Sequence, residues 1–175
     1  MTIALSTTLT DTDFETAVTA TKAALSEQGF GVLTEIDMQA TLKAKLGTDM
    51  EKYLILGACN PTLAHRAVGI VREIGLLLPC NVVVRADTTA GSVIVEAMNP
   101  DLMVQVTGEP ALSDVAAEAT TKLQAALDTL GTMARCKPSI PITSCSLCPR
   151  GIASRWSSTG CCARPRAACR WRQRD

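Results

Sequence analysis

The sequence predicts an α+β domain that ends near Leu130 and is followed by a tail of different character, and three observations carry that prediction. Apolar runs of strand length are interleaved with stretches of helical period through the first 130 residues. Two of the strands follow one another with no helix between them, which favours α+β over a doubly wound parallel sheet, although the interleaved helices keep that second option open. Charge, cysteine and tryptophan usage all change abruptly after Leu130.

The elements follow in order. Ile3 to Leu9 is short and Thr-rich and reads as a first strand. Thr12-Asp-Phe-Glu15 has the capping-box pattern, with Thr12 as cap and Glu15 reaching back, so a helix is expected to start there. Phe14, Val18, Thr21 and Leu25 then share one helical face, and Gly29 is placed to end it. Gly31 to Met38 reads as a strand, with Glu35 and Asp37 on its solvent face, and Gln39 to Leu46 as a short helix before Gly47.

Tyr53 to Cys59 is apolar without clean alternation, which suggests a central strand covered on both faces. Asn60 is a good N-cap and Pro61 suits the first helical position, so a helix is expected over Pro61 to Glu73 with Leu63, Ala67, Ile70 and Ile74 inward. Gly75 to Pro79 breaks it. Val82 to Asp87 and Ser92 to Met98 form a hairpin around Thr88 to Gly91, and Asn99-Pro100 ends its second strand. A last helix opens near Ser113, lines up Val115, Ala119, Leu123, Leu127 and Leu130, and is closed by Gly131.

A body of about 130 residues removes roughly two thirds of its unfolded surface from water, which suffices to fold without disulfides or metal. The chain's formal charge is zero, but through Leu130 there are 8 Lys and Arg against 16 Asp and Glu, and beyond it 9 against 1. An acidic body argues against nucleic acid as a partner, because phosphate contacts need Lys and Arg. The start of the chain has no basic flank and no apolar run reaches membrane length, so no membrane association and a cytoplasmic location are expected. In that compartment the two body cysteines, Cys59 and Cys80, are expected as reduced thiols.

The paired stretches Gly57-Ala-Cys-Asn-Pro-Thr-Leu-Ala64 and Gly75-Leu-Leu-Leu-Pro-Cys-Asn-Val-Val-Val84 resemble the family known only as domain of unknown function 302, over about residues 3 to 130. The resemblance implies a β-α-β4-α type sheet with helices packed on one face, the Pro61 to Glu73 helix as an insertion, and a homodimer. It implies no activity and covers none of the tail.

Chemistry has few places to reside. Cys59 precedes the Asn60 cap, where the positive end of a helix favours thiolate, and Cys80 begins the strand beyond that helix. An antiparallel pairing of the two strands would bring the thiols to the same end of the sheet. Three uses would follow for Cys59, Asn60, Pro61, Cys80 and Asn81: a redox or sulfur-transfer site, a copper or zinc site with His65 as third ligand, or part of a small-ligand pocket. The plain alternative is that both cysteines are small buried hydrophobes. His65 is the chain's one histidine, and the flanking Arg66 and Arg72 suggest a solvated helix edge. Asp11, Asp13 and Glu15 suit a helix N-terminus better than catalysis. Met38, Met98 and Met103 share no compact spacing and read as core filler. No nucleotide-binding glycine loop is present.

The tail from Gly131 holds six of the eight cysteines and both tryptophans. Cys145-x-x-Cys148 with Cys161, Cys162 and Cys169 offers one zinc knuckle where a ribbon needs two. Arg164, Arg166, Arg170, Arg172 and Arg174 lack any accompanying apolar period, and four prolines interrupt a helix. Disorder or an altered reading frame is the expectation. The functional expectation for the body is a dimeric small-ligand-binding or regulatory domain without a complete catalytic set, with the thiol and metal readings as alternatives.

Overall fold

A computed structural model of the protein describes residues 2–135. The chain divides into Met1–Lys137 and Pro138–Asp175; the second unit, and with it the zinc, basic and frame readings of the tail, lies outside the described residues. In the first unit the elements run β1 (Ala4–Leu9), α1 (Phe14–Glu27), β2 (Gly31–Asp37), α2 (Met38–Leu46), β3 (Tyr53–Cys59), α3 (Pro61–Ile70), β4 (Cys80–Asp87), β5 (Ser92–Met98), α4 (Asp101–Thr107) and α5 (Ser113–Arg135). The strands form one sheet in the order β1-β5-β4-β3-β2, with every neighbouring pair antiparallel. This is the expected α+β arrangement of β-α-β4-α type with inserted helices, and it excludes the doubly wound parallel alternative.

The pleat of each strand decides what the helices cover. On one face Leu9, Leu56, Val82, Val84, Val93 and Val95 meet Val18 and Leu25 of α1 and Leu123, Leu127 and Leu130 of α5. Burying each such side chain is worth roughly 1.5–3 kcal/mol, so this layer is the main source of stability. A second cluster closes one end of the sheet, where Leu63 and Ala67 of α3 meet Ile74, Cys80, Met103 of α4, and Val115 and Ala119 of α5.

Several boundaries depart from expectation. The cap of α1 is Asp13, whose carboxylate accepts from the Thr16 N–H at 3.0 Å and the Thr16 hydroxyl at 2.6 Å. Thr12 instead donates to the Thr10 carbonyl, and Glu15 pairs with Lys52. Both Thr12 and Asp13 are cap residues by type, and Asp13, one position later, is charged and accepts twice. Asp37 is solvent-exposed together with Glu35, as expected, and in addition caps α2, accepting from Ala40 N–H at 2.8 Å.

Helix α3 stops at Ile70 because Val71 is extended (φ −132°), and a tighter 3-10 turn over Arg72–Leu77 follows. Adjacent β-branched Ile70 and Val71 crowd a helix. The turn carries Ile74 into the full burial expected of it and leaves Ile70 exposed, contrary to the inward face expected there. Helix α4 was missed, as was the turn over Pro110–Leu112 before α5. Gly131 does not close α5, which runs through it to Arg135. A Cβ on Gly131 would stand 3.2 Å from Thr7 Oγ1, so the glycine allows α5 to lie close on β1.

Candidate functional site

The chemistry-bearing residues lie where β3 and β4 meet α3. Register pairs Ala58 with Cys80 and Gly57 with Asn81. The strands are antiparallel neighbours, and they carry Cys59 and Cys80 to the same end of the sheet. They are offset by one residue, however. Side chains alternate along a strand, so Cys80 shares the helix-covered face with Ala58, while Cys59, the last residue of β3, pairs with Gly31. Both are free thiols, Cys80 buried and Cys59 half-buried.

Local sequence explains the close packing there. Asn60 accepts from the Leu63 N–H at 3.2 Å and Pro61 fills the first turn, which sets α3 directly after β3. A cis peptide bond joins Leu78 to Pro79. The Pro79 ring lies against Gly57, where an added Cβ would be 2.8 Å from Pro79 Cγ and would also meet the Thr34 hydroxyl. Only glycine fits between them.

Ala58, Cys59, Asn60, Leu63, Cys80 and Met103 border a cavity of about 20 Å³. That volume takes one small molecule such as water and no metabolite. Burial pushes the Cys80 thiol up to about 11, with the nearby Cys59 charge adding to it. Burial also raises Cys59, so the thiolate expected from the helix N-terminus is not favoured at neutral pH. His65 sits exposed on α3, on the side opposite Leu63 and Ala67. Among the described residues no group of three His, Cys, Asp or Glu side chains is arranged to hold a metal. The Cys59, Cys80 and His65 set is therefore not assembled as a metal site: the two thiols border one small cavity, but the helix turns the imidazole to solvent. Pro61 is exposed at the start of α3 and does not border this cavity.

Asn81 belongs to a different surface. Among the described residues no helix of the main core covers the face of the sheet that carries Tyr53, Ile55, Val83, Arg85, Ile94, Glu96 and Met98. The expectation that β3 is covered on both faces fails here; its unbroken apolar run comes from Ile55 and Tyr53 on the uncovered side. Arg85 Nε donates to Glu96 Oε2 at 2.8 Å, and this hydrogen bond holds the guanidinium pKa above its ordinary value. Next to that pair lies a groove of about 320 Å³ between Ile3, Val83, Met98 and Leu102, with Tyr53, Asn81 and Glu96 as its polar side chains. Sequence reasoning found Asn81 and missed the others: Tyr53, Val83, Glu96 and Met98 sit in strands whose other face is also apolar, and Leu102 sits in α4, which was not expected.

Among the described residues no helix is long and apolar enough to cross a membrane. The model of the family described as domain of unknown function DUF302 matches residues 5–130. The chain is also similar to the crystal structure of an uncharacterized conserved protein DUF302 from Bacillus stearothermophilus, with 28% identity and a TM-score of 0.67 over 73% of this chain and 98% of that one. No curated protein matches the chain.

Proposed function

From the premise that the chain belongs to the domain of unknown function DUF302 family, we propose that it is a small-ligand-binding domain that works as a homodimer, with the ligand in the groove of the uncovered sheet face. The groove itself is the observation that carries this reading. At about 320 Å³, with apolar walls and the convergent Tyr53, Asn81 and Glu96, it has the size and composition of a site for a small organic molecule. Arg85 already neutralises Glu96. The occupant is thus an uncharged, largely apolar molecule with one hydrogen-bonding end, which Asn81 and Tyr53 receive.

The dimer follows from the rest of that face. Five strands about 4.8 Å apart and some seven residues long present on the order of 500 Å² each, so two copies bury about 1,000 Å², the lower bound of a specific interface. Ile36, Ile55 and Ile94 extend beyond the groove and need a larger cover than a ligand gives. On a body with twice as many acidic as basic residues, the core of this face carries one Arg85–Glu96 pair, so a second copy is not repelled there. The raised thiols and the 20 Å³ cavity support neither the redox nor the metabolite use of Cys59 and Cys80.

Native mass spectrometry and a thermal-shift panel of small neutral metabolites test the reading. A dimer is expected, Ile94→Arg should yield a folded monomer, and Val83→Trp, which fills the groove, should abolish the shift given by any stabilising compound. A wild-type monomer at tens of micromolar, or stabilisation that survives Val83→Trp, would overturn it.

A further inference from the structure

A second cleft lies on the helix-covered side and shares only Tyr53 with the groove of the open face. It has a volume of about 360 Å³ and is bordered by Phe14, Val18 and Lys22 of α1, Glu35 and Asp37 of β2, and Lys52 just before β3. Its floor is apolar, from Phe14, Val18 and Leu54, and its walls are charged. Lys22 Nζ meets Glu35 Oε2 at 2.7 Å, and Lys52 Nζ meets Glu15 Oε1 at 3.0 Å. Lys52 Nζ also stands 5.3 Å from the centre of the Phe14 ring.

That last contact is the informative one. An ammonium group held between an aromatic face and a carboxylate is the arrangement by which proteins bind organic cations. Here the protein's own lysine supplies the ammonium. The Lys52 side chain is half exposed and its partner Glu15 is 76% exposed, so the pair is weakly held and readily displaced. The cleft's two lysines face three carboxylates, Glu15, Glu35 and Asp37, and the acidic body as a whole draws cations toward it. Lys22 stays on Glu35 and Asp37 caps α2, which leaves the Phe14 and Glu15 position as the one that exchanges.

We propose that this cleft binds a small organic ammonium ion, whose charged head replaces Lys52 Nζ over the Phe14 ring against Glu15 and whose alkyl body lies on Val18 and Leu54. The inference is independent of the open-face groove: the two sites share no side chain that the tests alter.

The full chain titrated with n-butyltrimethylammonium, followed by NMR shifts at Phe14, Val18 and Leu54, tests it, with n-butanol as the uncharged control. Saturating shifts confined to these residues are expected for the cation and none for the alcohol. Lys52→Met removes the internal competitor and should tighten binding severalfold. Glu15→Gln, at an exposed position that cannot compromise the core, should weaken it severalfold. The proposal is overturned if the alcohol binds equally, if no saturating shift occurs, or if Lys52→Met leaves affinity unchanged or lowers it. The last result would make Lys52 a plain surface ion pair.

Discussion

Raising the pH from 8 to 11 should erode the fold through one side chain, and the size of that loss can be worked from its surroundings. Cys80 is 5% exposed, packed among Leu63, Ala67, Ile74 and Met103. Its thiol titrates near 9.0 when unfolded and at about 11 in the fold, first because burial disfavours the thiolate and second because Cys59 lies nearby. A pKa raised on folding means that the folded state holds its proton more tightly. The associated stability is therefore fully present below pH 9 and is lost as pH rises through 11. Two units correspond to roughly 3 kcal/mol at 1.36 kcal/mol per unit. Against a typical domain stability of 5–15 kcal/mol that is a large share. The assay is urea unfolding of the wild type and of Cys80→Ala at several pH values, because the difference between them cancels the other thiols, the lysines and the tyrosine. Whatever the gap at pH 8, it should shift by about 2 kcal/mol in favour of the variant by pH 11 and approach the full value of about 3 kcal/mol only above it. A gap that does not move with pH, or a Cys80 alkylation rate that follows an ordinary thiol, would refute the assignment and would return Cys80 to the list of reactive groups.

Three further outcomes follow from the same packing. Cys59→Ser removes the charge that adds to the Cys80 shift, so the pH at which Cys80 becomes alkylated should fall, while the burial component keeps it above an ordinary thiol. Gly57→Ala drives a methyl against Pro79 at 2.8 Å, well inside the 3.5–4.0 Å of a normal carbon contact, and should cost about 1–3 kcal/mol in denaturant unfolding. Thr34→Ala should recover part of that loss and none if Pro79 alone is responsible. Asp13→Ala should lower the melting temperature, with Thr12→Ala close to neutral. The Asp13 carboxyl is held below its ordinary range chiefly by the Thr16 hydroxyl and N–H, so its contribution is present above pH 4 and fades as the pH falls through the depressed value.

How much of this was legible before the coordinates depends on which physical signal each feature leaves in the chain. The face of α1 was, since Val18, Thr21 and Leu25 recur at helical spacing and are all buried. The antiparallel hairpin of β4 and β5 was as well, because Thr88 to Gly91 punctuates two strand-length runs. Helix α4 was not, although Asn99-Pro100 repeats the Asn60-Pro61 signature: Asn60 caps in the usual way by accepting from Leu63 N–H three residues on, whereas Asn99 accepts from Asp101 N–H two residues on, with Pro100 itself already helical. A seven-residue helix between a strand and another turn has too few positions to show a period.

The cysteine pair marks a sharper limit. Strand direction could be inferred from the chain, and antiparallel pairing does bring Cys59 and Cys80 to one end of the sheet. Whether they meet depends on register, and a one-residue offset sends neighbouring side chains to opposite faces. Here Ala58, not Cys59, stands across from Cys80. Periodicity within β3 cannot report that offset, because Leu54 to Cys59 is apolar on both faces up to the pairing point. The same ambiguity hid the open-face groove, whose Tyr53, Val83, Glu96 and Met98 come from three strands and are gathered by register alone. Placing the candidate ligand site on that face, and the thiols in the packing beneath it, makes opposite demands on Asn81 and Cys80. Asn81→Leu should change ligand stabilisation and leave the alkaline transition where it was, whereas Cys80→Ala should do the reverse. Thermal shift at pH 7 and urea unfolding across the alkaline range read the two separately, and a variant that moved both would show that the faces are coupled through β4.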